Sequence, residues 1–198
     1  MFAAILDTCV LWPSLQRDFL LSMAIEGLYR PLWSDAILDE LHRHEQNKLV
    51  DRGSEANAAL DQADRLLARM RGAFDDALVV GWEPLEGSFG LPDADDEHVV
   101  AAAVVGGAGA IVTDNLKDFP PKFVPSHIQV LSGTEFASNT ADVDPERAAR
   151  ALRAMSQRRH KTKQTPHELV DLLVKRYGMN DVAEAVLPIL DEVAAGDE

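Results

Sequence analysis

Asp93-Ala94-Asp95-Asp96-Glu97-His98-Val99-Val100-Ala101-Ala102-Ala103 is followed by Gly106-Gly107 and then by Ala110-Ile111-Val112-Thr113. The first part is an alanine-rich helix, the glycines break it, and the last part is an apolar run of strand length. A helix turned at once into a buried strand is half of a parallel α/β unit. Four carboxylates fall within residues 93–97. Asp93 suits the N-cap, which places Asp95 and Asp96 in the first turn, where the helix dipole favours their ionised forms. Taken alone, these acids read equally as a well-capped helix with a solvated start.

The same unit recurs outward from this stretch. Phe2–Leu6 is an apolar run that ends in Asp7-Thr8, a buried parallel strand with an acid at its C-terminal end. An apolar stripe from Leu15 to Leu28 predicts a helix opened by Pro13 and stopped at Arg30-Pro31. Leu32-Trp33 is a minimal strand, and Ser34 caps a helix carrying Ile37, Leu38 and Leu41. Ser54–Arg71 has helical spacing, Leu78–Trp82 reads as a strand, and Ile128–Leu131 as the last one. Ser132 to Glu135 form a capping-box pattern for a short helix through Ala137. The expected fold is α/β, a doubly wound parallel sheet flanked by helices. Ala141–Asp144 reads as a linker, after which Asp144-Pro145 and Thr165-Pro166-His167-Glu168 open helices of a small all-helical C-terminal appendage. The expected domains are residues 1–140 and 141–198.

The 198 residues hold 46% apolar and 26% charged side chains, ordinary for a globular protein. The apolar runs are too short and Gly/Ala-rich to span a bilayer, and the N-terminus lacks the basic start of a signal peptide. A single cysteine, Cys9, excludes an internal disulfide and fits a reducing cytoplasm. The net charge of −14 argues against non-specific coating of nucleic acid. Arg147 to Lys163 nevertheless holds seven Arg/Lys and no Asp or Glu, so that the remaining chain stands at −21. This basic segment reads either as a solvated helix and linker or as a phosphate-contacting arm, with Arg158, Arg159, Lys161 and Lys163 as its candidates.

Ligands of open parallel sheets bind at the C-terminal strand ends. Asp7 ends the first strand there, Asp114 ends the Ile111 strand with Asn115 and Asp118 close behind, and the Asp93 helix starts at the same edge. Crowded carboxylates repel one another and are commonly compensated by a divalent cation. Oxygen ligands without a cysteine cluster point to Mg²⁺ or Mn²⁺.

Four segments, Ile5-Leu6-Asp7-Thr8, Ser34–Leu41, Asp96–Ala103 and Ile111–Phe119, resemble in this order the four motifs of PIN-domain ribonucleases, more narrowly VapC-type toxins of toxin–antitoxin pairs. The resemblance covers about residues 1–137, and the tail is similar to extensions of longer members. It implies that Asp7, Glu40 and Asp96 ligate Mg²⁺ or Mn²⁺ and activate water for RNA phosphodiester cleavage. The family's fourth position falls on Asn115, with Asp114 and Asp118 as neighbouring alternatives, and Thr113 would orient a ligating carboxylate. A neutral Asn115 implies one tightly held ion, with a second arriving alongside RNA. The implied function is a cytoplasmic endoribonuclease, with RNA as substrate, an antitoxin protein as partner and homodimers common among similar proteins. A non-catalytic PIN-like interaction module is the alternative, ahead of a dehalogenase-like phosphatase, whose second Asp would replace Cys9.

Other residues carry plainer readings. His42 and His44 lie two apart and do not share a helix face. His98 is read as a polar residue near the acids, Cys9 as an apolar filler, and Trp12, Trp33 and Trp82 as packing residues, with Trp12 also able to stack on a base.

Overall fold

The computed structural model describes residues 1–160 and 162–196. In chain order the elements are β1 (Ala3–Leu6), α1 (Thr8–Leu11), α2 (Ser14–Ile25), β2 (Arg30–Ser34), α3 (Asp35–Asp51), α4 (Ala56–Ala73) and β3 (Leu78–Val79). They continue with α5 (Glu97–Val105), β4 (Ala110–Val112), β5 (Gln129–Leu131), α6 (Gly133–Val143), α7 (Pro145–Arg158), α8 (Pro166–Tyr177) and α9 (Asn180–Gly196). No helix among the described residues is long and apolar enough to cross a membrane.

The chain divides into two compact units. The sheet unit comprises Phe2–Trp12 and Pro31–Leu131. Its five parallel strands lie in the order β3-β2-β1-β4-β5, the α/β architecture the sequence predicts. The order reverses between β1 and β4, which makes their C-terminal ends a topological switch point. Register fixes what meets there. Leu6 pairs with Val112, so Asp7 and Thr113 are the first residues beyond two adjacent strands. The Asp7 N–H still donates to the Val112 carbonyl at 3.0 Å, which holds that alignment past the last pair.

Helix α5 packs against β1 and β4, and Val99 to Ala103 are fully buried. Its small side chains let the helix approach closely, and Gly106 completes the fit. A Cβ there would fall 2.8 Å from Val79 Cγ2 and 2.9 Å from Leu32 Cδ1. Ser34 caps α3 by accepting the Ile37 N–H. Leu32 and Trp33, the core of β2, are buried, as are Ile37, Leu38 and Leu41 of the α3 apolar face.

The helical unit comprises Pro13–Arg30 and the chain from Ser132 onward, with Met1. Thr165 and Glu168 form the reciprocal capping box of α8, Asp144 caps α7 ahead of Pro145, and left-handed Gly178 closes α8. The Tyr29 and Phe136 rings meet edge to face at 4.8 Å, while the Tyr29 hydroxyl donates to the Leu20 carbonyl.

Several expectations change. The expected boundary between residues 140 and 141 falls inside α6, which runs from Gly133 to Val143 rather than stopping at Ala137. Phe136, Ala137, Ser138, Thr140 and Ala141 are buried, so tertiary packing carries the helix past Ala137 and into the Ala141–Asp144 stretch that reads as a linker. Helix α2 groups with the C-terminal helices, and the helical unit is therefore larger than an appendage. Arg30-Pro31 belongs to β2, and the Leu78 strand stops at Val79, two residues before left-handed Gly81. The short α1 has no counterpart in the sequence reading.

Candidate active site

Asp7 ends β1 and is buried at 6% exposure. Its Oδ2 accepts the Thr113 hydroxyl at 2.7 Å and the Cys9 thiol at 3.1 Å. Cys9 is thus a donor within a network. Its sulfur also lies 3.2 Å from Thr113 Oγ1 and accepts the Asp114 N–H at 3.1 Å. Burial, then the charge of Asp7, pushes the Cys9 thiol up to about 12, so it stays protonated and donating at neutral pH. Thr113, fully buried, also accepts the Asn115 N–H at 3.1 Å. It ties the turn after β4 to the acid after β1.

Glu40 lies on α3 at the second turn. Its Oε2 accepts the Thr8 hydroxyl at 2.8 Å, and its Oε1 is 3.4 Å from His98 Nε2. Burial raises the Glu40 pKa, but the hydrogen bonds from His98 and Thr8, with the charges of His98 and Arg43, bring it net below the usual value. The reciprocal holds for His98. Burial lowers its pKa, while Glu40, Asp7 and Glu86 outweigh that and raise it. His98 is buried with its ring against Trp82 at 5.9 Å, and its Nδ1 has no hydrogen-bond partner. The expected place near the acids holds, and the contact with Glu40 is what the sequence does not show.

The acidic run separates into distinct roles. Asp93 caps a 3₁₀ turn, Ala94–Asp96, by accepting the Asp95 N–H at 3.0 Å. Asp96 then occupies the N-cap position of α5 but makes no capping hydrogen bond. Two short segments therefore replace the single helix expected from Asp93, and Asp96 sits at their junction. Its Oδ2 accepts Asn115 Nδ2 at 3.3 Å. Burial, then the charges of Asp7, Asp93 and Asp118, raises the Asp96 carboxyl to about 6. Asp118 is half-buried next to Lys117 at 3.7 Å, whereas Asp114 is exposed. Of the three alternatives for the fourth position, Asn115 touches Asp96 and Asp118 acts on it through charge.

Glu97 faces the other way. It is 2% exposed and accepts the backbone N–H groups of Phe89, Gly90 and Leu91. This anchors the loop that enters the acidic turn. In sequence nothing separates Glu97 from its three acidic neighbours.

Among the described residues, no three His, Cys, Asp or Glu side chains stand in a ligating arrangement. Each acid is turned to its own partner, Asp7 to Thr113, Glu40 to Thr8 and His98, and Asp96 to Asn115. The donors are oxygens throughout, which suits a hard divalent cation. Such a charge would offset the repulsion that raises Asp96. Asp7, Glu40 and Asp96 carry the oxygen chemistry that such an ion takes, without standing in a ligating arrangement. Replacing Thr113 by the isosteric Val removes the hydroxyl that orients Asp7. Metal affinity or activity is then expected to fall by about 10- to 100-fold. Titrating Mn²⁺ in an activity assay checks this, since a fall that excess metal restores identifies an orienting role.

The basic segment is largely engaged within the helical unit. Arg159 and Arg158 both bind Asp18 of α2, at 2.8 and 3.2 Å, and Arg150 binds Glu26 at 3.0 Å. Arg158 and Arg159 thus fasten α7 to α2, a role the expected RNA-contacting arm did not include. Lys163 is exposed with φ of 47°, and Lys161 lies outside the described residues. His42 pairs with Asp64 of α4 at 2.7 Å, while His44 meets Trp12, so the two histidines diverge as their spacing requires.

The family model described as PIN domain matches residues 3–117. No curated protein and no solved structure matches the chain.

Proposed function

This chain belongs to the PIN-domain family, whose members are generally nucleases that use divalent metal ions, and on that premise we propose that it is an endoribonuclease dependent on Mg²⁺ or Mn²⁺. The observation that carries the reading is the pairing of Asp7 with Thr113 at the switch point of the sheet, within the same field of charge as Asp96. Asp7, Glu40 and Asp96 would hold the ion. Bound there, it would acidify a water and offset the charge that builds on the phosphate.

The residues around it supply position and proton transfer. Thr113 and Cys9 fix the Asp7 carboxylate, so that it meets its ligand without reorganising. Thr8 and His98 hold Glu40 from two sides. Glu40 or Asp96 orients the attacking water and takes its proton. The water oxygen bonds to phosphorus, the P–O3′ bond breaks, and the leaving oxygen takes up a proton from solvent. The products are a 5′-phosphate and a 3′-hydroxyl. Asn115 steadies Asp96 without adding a charge, which favours one tightly held ion, with a second arriving alongside RNA.

The finer reading is a cytoplasmic toxin of a toxin–antitoxin pair. Its support is the sequence motifs and the charge of −14, which would attract a basic antitoxin segment. Similar chains commonly form homodimers, and the same is proposed here. Cleavage of single-stranded and structured RNA in Mg²⁺, Mn²⁺ or EDTA tests the enzyme. Cutting with either metal, silence in EDTA and 5′-phosphate ends are expected. Metal-independent cutting, or metal binding without cleavage of any RNA, would turn the reading to contamination or to an interaction module.

A further inference from the structure

Three tryptophans are present, and only one is open. Trp33 is fully buried and Trp82 is 9% exposed, whereas Trp12 is 42% exposed. Single exposed apolar side chains are ordinary on a protein surface, and what sets Trp12 apart is a ring held in a fixed pose. Lys48 Nζ lies 5.8 Å from its ring centroid and His44 meets it near edge-on at 6.5 Å. Lys48 is itself paired with Glu45, which fixes its ammonium within cation–π reach of the ring.

The ring is also placed with respect to the acids. Helix α1 begins at Thr8, whose hydroxyl holds Glu40, and ends in Trp12 as its C-cap. On α3, Glu40, His44 and Lys48 recur at four-residue intervals and so share one face. His44 is about 6 Å along that face from Glu40, and Lys48 about 12 Å, at 1.5 Å per residue. The acids and the ring are therefore the two ends of one α1/α3 pairing. Arg43, exposed on α3 and close enough for its charge to act on Glu40, supplies a cation between them.

We propose that Trp12, braced by His44 and Lys48, is the platform on which an unpaired base flanking the scissile phosphate stacks. The proposal rests on the nuclease reading for the word scissile but not for the stacking itself. Bases within a duplex have both faces covered, and only an unpaired base can lie on a side-chain ring. Aromatic stacking tolerates any base, so the platform selects strandedness rather than sequence.

Because Trp33 and Trp82 are buried, a stacked base changes the fluorescence of Trp12. The test uses a short oligoadenylate and its duplex with oligouridylate, added to the full chain carrying Asp7→Asn so that neither is consumed. Quenching by the single strand, little by the duplex, and none in a chain that also carries Trp12→Phe are expected. Trp12→Ala should weaken single-strand binding about tenfold or more at unchanged thermal stability. Absence of quenching, or equal affinity after Trp12→Ala, overturns the platform even where the wild-type chain cuts RNA. Quenching without cleavage by the wild-type chain in any metal keeps the platform and overturns the nuclease reading.

Discussion

Asp7→Asn and Asp96→Asn are each expected to lower RNA cleavage by about 10²- to 10³-fold, the loss associated with one preorganised group that stabilises developing charge. The two changes act differently. Asn at position 7 keeps the shape that Thr113 and Cys9 recognise but loses the charge they orient. Asn at position 96 removes the carboxyl that Asp7, Asp93 and Asp118 already oppose, so this variant should fold at least as stably as the natural chain. A paired measurement of cleavage and thermal unfolding separates the effects. Lost activity with retained or raised stability marks a group kept for function against its own electrostatic cost. Unchanged activity in both variants would remove these acids from the chemistry.

The second large effect is structural. Glu97→Ala is expected to destabilise the chain by about 3–5 kcal/mol, because it leaves the N–H groups of Phe89, Gly90 and Leu91 without their shared acceptor. Burial raises the Glu97 carboxyl, yet the hydrogen bonds from Phe89, Leu91, Gly90 and Gly87 outweigh burial and hold it below its ordinary value. A depressed pKa in the folded state means that the unfolded chain binds the proton more readily. The stabilisation is therefore complete above the unfolded carboxylate value, about 4.3, and is lost as pH falls through the lower folded one. Urea unfolding of the wild-type chain and Glu97→Gln at pH 7 and in strong acid checks the sign. The difference between them should shrink in acid, and a difference independent of pH would show that Glu97 acts through packing alone. Because the 89–91 loop leads into the Asp93–Asp96 turn, the same substitution should also blunt cleavage.

What the sequence disclosed follows from the range of the interactions. Ser34, Asp144 and Thr165 act within three or four residues of themselves, and each caps the helix that its pattern predicts. Asp7 was legible as a strand-ending acid because the apolar run before it is unambiguous. Its orientation by Thr113 is a matter of register between β1 and β4, which periodicity can only suggest. Glu97 was not separable from Asp93, Asp95 and Asp96, since the donors that set it apart belong to a loop without a regular pattern. The pairing of Arg159 with Asp18 joins residues 141 apart, and no local rule connects them. Helix α6 runs past Ala137 into the Ala141–Asp144 stretch that reads as a linker, because Ser138, Thr140 and Ala141 are buried and sequence alone does not show burial. Cys9 reads as an apolar filler because its three contacts come from two different strand ends, which no local pattern joins.

On the proposed mechanism the acids after β1 and before α5 work together on RNA through a divalent ion. RNA cleavage followed while Mn²⁺ is titrated from an EDTA baseline, with the wild-type chain and Asp96→Asn side by side at equal folded concentration, tests it most directly. Cleavage that rises from none to a plateau for the wild-type chain, and stays at background for the variant, is the predicted result. Cleavage equal in both chains and indifferent to Mn²⁺ would contradict it.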